Sequence, residues 1–148
     1  MPNLKNLRVL VVEDELLIAL ALEDMLQGFG CNVVGPFSRI ADAERAIRSE
    51  PIDAALLDVN VRGELVYPIA AMLAERGIPS ILCSGYAASN MIPDAFKQMP
   101  QIAKPYDEAI LRRMMDRVFL GTAAASNAER HPQGSSGSGS RAGASAAS

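Results

Sequence analysis

The chain has 148 residues, a formal net charge of −3 and 49% apolar residues, a balance that predicts one globular domain with a sizeable core and room for a tail. Mild acidity excludes the strongly basic surface usual in a nucleic-acid-binding domain. Two cysteines, Cys31 and Cys83, are too few for a disulfide framework. There is no apolar leader and no apolar run near the ~20 residues of a membrane helix, so the expectation is a soluble cytoplasmic protein.

In chain order, "LRVLVV" (residues 7–12) is short and β-branched and predicts a first strand. "ELLIALALEDMLQGFG" predicts a helix that stops at Gly30, with Ile18, Ala21, Leu22, Met25 and Phe29 on its core face. The surplus Leu16, Leu17 and Leu20 are expected to lie under adjacent loops; the alternative is a docking surface. "CNVVGPF" is a second strand. "IADAERAIRSE" is a second helix, for which Ser38 is the expected cap. "IDAALLD" is a third strand, and "YPIAAMLAERG" a third helix with Pro68 in its first turn. "PSILCS" is a fourth strand. "NMIPDAFKQM" is helical in part but interrupted by Pro93. "QIAK" is a short fifth strand and "DEAILRRMMDRVFL" a last helix. Five β–α alternations whose strands are apolar on both sides predict an α/β fold, a doubly wound parallel sheet covered on both faces.

Residues 1–120 are thus expected to form one domain. From 121 to 148 there is no Leu, Ile, Val, Phe, Met, Tyr or Trp, and Ala, Ser and Gly dominate. Such a segment buries too little surface to offset its ordering entropy, and a disordered tail is expected.

Ligands of open parallel sheets bind beyond the carboxyl ends of the strands. At those ends stand Glu13 and Asp14, then Asp58, Ser84 and Lys104. Each alone suits a cap, a turn or a surface loop; together they put three carboxylates, a hydroxyl and an ammonium on one rim. Clustered carboxylates repel, and a divalent cation relieves them. Mg2+ takes oxygen ligands, commonly one or two carboxylates with a phosphate oxygen. A carboxylate beside that ion can attack phosphorus to give an acyl phosphate, while an ammonium neutralises the transferring oxygens.

In this set and spacing, "VLVVEDE", "DAALLDVN", "CSGY" and "KPY" closely resemble a response-regulator receiver domain of two-component signalling. The resemblance implies the flavodoxin-like (βα)5 sheet with strand order 2-1-3-4-5. It implies Asp58 as phosphoacceptor, Asp14 as a direct Mg2+ ligand, Glu13 as a ligand through water, and the backbone carbonyl of Asn60 as a further ligand. Ser84 would be the switch hydroxyl, Lys104 the phosphate-binding lysine, and Lys104–Pro105 a cis peptide. It also implies a chain that catalyses only its own phosphorylation and dephosphorylation. The expected partners are a sensor histidine kinase or a histidine-phosphotransfer protein, for whose helix Leu16, Leu17 and Leu20 are the alternative docking surface. No nucleic acid or membrane partner is expected.

Four positions depart from the usual pattern. Most receivers carry Pro four residues after the acceptor, where this chain has Arg62 followed by Gly63. The aromatic three positions before the lysine is replaced by Gln101. An aromatic stands instead at Tyr86, and "PSILCSGY" is similar to the signature of a stand-alone subclass called FATGUY, with Ser84 for its Thr. These differences shift the expected switch to residues 84–99. A degenerate receiver, binding partners without phosphate, is the alternative reading. An aspartyl-nucleophile phosphatase is disfavoured because Asn60 stands where that class needs its acid.

Overall fold

The computed structural model describes residues 3–85 and 92–121. In chain order these form β1 (Arg8–Val12), α1 (Leu16–Gly28), β2 (Asn32–Phe37), α2 (Ile40–Ser49) and β3 (Ala54–Asp58). A small hairpin follows, β4 (Asn60–Val61) and β5 (Glu64–Leu65), and then α3 (Tyr67–Glu75), β6 (Ser80–Ser84), β7 (Gln101–Ala103) and α4 (Glu108–Met115). Five strands make one parallel sheet in the order β2-β1-β3-β6-β7, which is 2-1-3-4-5 when only its own strands are numbered.

The strands alternate their side chains between two cores. Leu10, Val12, Ala55 and Leu57 face α2 and α3, whereas Val9, Val11, Ala54 and Leu56 face α1 and α4. Every residue of β3 and β6 is buried, as strands covered on both faces require. The edge strands β2 and β7 are only partly buried.

Several local expectations need correction. Helix α1 buries Ala19, Leu22 and Leu26, while Ala21 is exposed and Ile18, Met25 and Phe29 are half-buried. The buried stripe is therefore rotated by about one residue from the sequence-predicted face. Leu16, Leu17 and Leu20 are 70%, 81% and 51% exposed, so no loop among the described residues covers them. Ser38 does not cap α2: the N-cap is Arg39, and no side chain caps it. No fourth helix forms between β6 and β7 among the described residues. Residues 92–99 contribute a short 3-10 turn, Asp94–Phe96, and residues 86–91, including Tyr86, lie outside the described residues, as does the tail from 122 onward. The ring of Phe96 stacks on Tyr67 at 4.6 Å, which ties this turn to the start of α3. The last helix is α only as far as Met115 and continues as a π-turn, Asp116–Leu120. The β4–β5 hairpin was not foreseen from the sequence.

Other expectations hold in detail. Gly30, at φ +90°, ends α1 in a Schellman arrangement: its N–H donates to the Gln27 carbonyl and that of Cys31 to the Leu26 carbonyl. Lys104–Pro105 is cis, as is Gly35–Pro36. At the second of these, β2 bulges against β1, the register jumping between Leu10 and Val12. The bulge lets the Phe37 carbonyl accept the N–H of Glu13 at 2.9 Å, so sheet bonding extends one residue beyond β1, to the rim.

Gly35 is fixed by this geometry. Its φ is +105°, and an added Cβ would meet the Phe37 nitrogen at 2.8 Å. Gly35→Ala is therefore expected to lower stability by about 1–3 kcal/mol, the usual cost of a residue held in such backbone strain. Gly28→Ala, at an open helical position, should be neutral or stabilising. Urea unfolding of both variants checks the contrast.

Candidate functional site

The carboxyl ends of β1, β3, β6 and β7 bring the sequence-predicted residues to one place. Glu13 follows β1 and is 3% exposed. Its Oε1 lies 2.8 Å from Lys104 Nζ, and its Oε2 accepts the N–H of Glu15 at 3.2 Å. Asp58 ends β3, is 7% exposed, and has its Oδ2 3.2 Å from the same ammonium. Asp14 is less buried, and its Oδ2 accepts the Arg62 N–H at 2.9 Å. One carboxylate oxygen from each of Glu13, Asp14 and Asp58 lies within 4.8 Å of the others.

Ser84 ends β6 and is 3% exposed. It comes one residue after Cys83, which pairs with Asp58 across the sheet. The Ser84 carbonyl accepts the Lys104 N–H at 3.0 Å, so β6 and β7 hold the hydroxyl and the ammonium in fixed register. Asn60 opens β4, two residues beyond Asp58, and is exposed; its side-chain oxygen accepts the Gly63 N–H at 2.9 Å.

Each charge here is perturbed by its neighbours. Burial, and then the Glu13 carboxylate, push Asp58 up to about 7 against the pull of Lys104. Burial would lower Lys104, but Glu13 and Asp58 outweigh it and raise the ammonium's affinity for its proton. Burial also opposes ionisation of Asp14, yet the Arg62 amide and a hydrogen bond with Asp58 hold it below the usual carboxylate range. The two thiols are inert by comparison: burial pushes Cys31 up to about 11 and Cys83 up to about 12.

Three converging carboxylates against one nearby ammonium make an oxygen-only, negatively charged donor set. That set fits a small hard cation such as Mg2+, which accepts one or two carboxylates and keeps waters in its remaining positions.

Two participants are not among the site residues assigned from the sequence, although Glu15 belongs to its acidic cluster. Glu15, the last member of the E-D-E run, places Oε1 3.6 Å from Lys104 Nζ. Arg62, in the sequence only a departure from the family pattern, holds Asp14 through its backbone N–H. The Arg-Gly pair soon after Asp58 was the available signal, because a two-residue turn with glycine predicts a hairpin.

A 2-1-3-4-5 parallel sheet carrying a carboxylate triad, a hydroxyl and a lysine at its carboxyl rim defines the receiver class of α/β signalling domain. The chain belongs to the response regulator receiver domain family, whose profile matches residues 9–116. SdrG from Sphingomonas melonis Fr1 is 33% identical, with 80% of this chain and 97% of that one covered at a TM-score of 0.68. The response regulator PhyR from Brucella abortus is similar at a TM-score of 0.73 and 22% identity, over 85% of this chain and 53% of that one. The receiver domain of the sensor histidine kinase PA1611 from Pseudomonas aeruginosa PAO1, whose structure has a magnesium ion coordinated in the active-site cleft, aligns at 23% identity and a TM-score of 0.64, over 78% of this chain and 98% of that one. No curated protein matches the sequence. Family membership brings phosphoacceptor response-regulator function in general and Mg2+ binding at an acidic pocket. Among the described residues no helix is long and apolar enough to cross a membrane.

The raised Asp58 has a consequence for stability. In metal-free protein it stays protonated in the fold from the unfolded carboxyl value near 4 up to about 7, while the unfolded chain has already released that proton. The folded state then binds more protons than the unfolded one, so this group makes stability fall as pH rises through that window. Asp14 acts below the window and Lys104 above it. Urea midpoints in EDTA at several pH values should therefore decline between about pH 4.5 and 7. The slope should be shallower in Asp58→Asn, and equal slopes would contradict the assignment.

Proposed function

We propose that the protein is a phosphoacceptor response regulator that takes a phosphoryl group onto Asp58 from the phosphohistidine of a sensor kinase or a histidine-phosphotransfer protein. The observation that carries this reading is the Lys104 ammonium between Asp58 Oδ2 and Glu13 Oε1, with Asp14 in reach of both carboxylates. Asp14 and Asp58 would hold Mg2+ directly, Glu13 through water, and the Asn60 backbone carbonyl would add a ligand. The bound ion would supply positive charge to the equatorial oxygens of the transferring group.

The chain's own residues do the rest. Lys104 favours the ionised form of Asp58 and so counters the burial that pushes it toward neutrality. An Asp58 carboxylate oxygen forms the new P–O bond as the P–N bond to the donor histidine breaks, and the electron pair leaves on the imidazole nitrogen. The Lys104 ammonium, now relieved of one carboxylate charge, turns to a phosphoryl oxygen. The Ser84 hydroxyl, one step along β6, donates to another. The attached group adds about −1.5 to −2 charge at neutral pH, which draws Ser84 and Lys104 inward. The similarity of "PSILCSGY" to the stand-alone subclass supports a role as a single-domain switch, shuttle or phosphate sink.

The degenerate-receiver alternative is separated by chemistry. Incubation with acetyl phosphate and Mg2+ should add the mass of one phosphoryl group to the wild-type chain and none to Asp58→Asn, whose amide is nearly isosteric but not a usable nucleophile. A wild-type chain that gains no mass would favour the degenerate reading.

Metal binding can be read without any donor. A ligand that binds only the folded state stabilises it by RT ln(1 + [L]/Kd), about 2.7 kcal/mol at 100 times Kd. Mg2+ should raise the melting temperature of the wild type accordingly, and Asp14→Ala should abolish most of that rise.

A further inference from the structure

Position 62 is where the chain departs from most of its family, and the structure gives that departure a use. Arg62 and Gly63 form the two-residue loop of the β4–β5 hairpin, with φ of +53° and +82°. Positive φ at both loop residues is the mark of the primed turns that match hairpin twist. Proline, fixed near φ −65° and lacking an N–H, fits neither the backbone nor the bonding here.

The turn is held firmly from below and from the side. Val59, Val61 and Val66 are buried to 4%, 0% and 0% exposure, and the Val66 N–H closes the base of the hairpin on the Val59 carbonyl at 2.9 Å. Asn60 Oδ1 accepts the Gly63 N–H across the loop. The Arg62 guanidinium reaches away from the hairpin, its Nε donating to the Ser38 carbonyl at 3.0 Å in the β2–α2 connection. The Arg62 amide is thereby presented to Asp14 Oδ2 at 2.9 Å.

We propose that the Arg62–Gly63 turn is a positioning device for the metal ligand Asp14: its amide fixes one carboxylate oxygen so that the other is free to meet the cation, and its guanidinium latches the turn to the β2–α2 connection. Arg62 is a positioning residue; it touches neither metal nor phosphoryl group. The inference rests on Asp14 being a metal ligand. Hydrogen-bonded partners of ligating carboxylates orient them and tune their affinity, and losing such a partner typically costs about 10–100-fold in metal binding.

The test uses the full unphosphorylated chain with Mg2+ alone as the probe, titrated by amide chemical shifts, with melting in EDTA as a fold control. Arg62→Pro removes the N–H and should weaken Mg2+ by about 10–100-fold. Arg62→Gly keeps the N–H and tolerates the positive φ, and should recover most of that affinity. A folded Arg62→Pro chain that binds Mg2+ as tightly as wild type overturns the proposal. Should Arg62→Pro fail to fold, hydrogen exchange decides in its place. The Arg62 amide should be protected in wild type and exchange faster in Asp14→Ala; equal rates overturn the positioning contact between that amide and Asp14. A wild-type chain that binds no Mg2+ defeats the metal-ligand reading, whereas the exchange result addresses the amide–Asp14 contact alone.

Discussion

The site depends on one partly buried ammonium. Lys104 Nζ stands between Glu13 and Asp58, joining the far end of the sheet at β7 to the ends of β1 and β3. Without it, two carboxylates 3% and 7% exposed would meet with no ion-pair partner among the described residues. Like charges within 4.8 Å repel by roughly 3 kcal/mol even at an effective dielectric of about 20. A proton or a bound cation relieves such crowding, and the raised proton affinity of Asp58 is the first of these remedies. Burial makes the site sensitive to charge, because it is what moves Asp58 so far from its ordinary value.

The sheet makes that crowding possible. Strands β1, β3 and β6 are nearly fully buried and cannot move apart, so their terminal side chains are held in register rather than left to spread. Across β3 and β6, Asp58 faces Cys83, which sets Ser84 one step beyond Asp58 along the rim. The β2 bulge at Gly35 extends sheet bonding as far as Glu13. Backbone hydrogen bonds thus place the acidic residues where their own charges would not.

How much of this is legible in the sequence follows from the range of each signal. The strands come from short apolar runs, which are local and strong signals, whereas their order in the sheet is implied by the resemblance to receivers and given by the structure. The rim residues follow from strand ends alone, so Glu13, Asp14, Asp58, Ser84 and Lys104 could all be singled out before any coordinates. The buried face of α1 was misplaced because Leu16, Leu17, Leu20 and Ala21 are apolar as well, and a helix apolar nearly all round gives no sharp stripe. Ser38 looked like a cap by type, but the chain enters α2 one residue later and the Ser38 carbonyl is held by Arg62 instead. The hairpin escaped notice because its strands are two residues each, too short for periodicity to show. Its contact with Asp14 spans 48 positions in sequence and uses a backbone amide, which no side-chain pattern can reveal.

The two cysteines lend the fold a built-in pair of reporters. Cys31 lies behind α1 and Cys83 sits in β6 directly beside β3, in the same core; both are buried and poorly ionised. Thiolate chemistry needs both exposure and deprotonation, so an alkylating reagent can reach either sulfur only when its surroundings open. Cys31 then clocks the parting of α1 from the sheet, and Cys83 clocks the loosening of the strand that carries Ser84. Comparing the two rates in a single chain separates breathing of the whole domain from fluctuation confined to the strand that ends in Ser84.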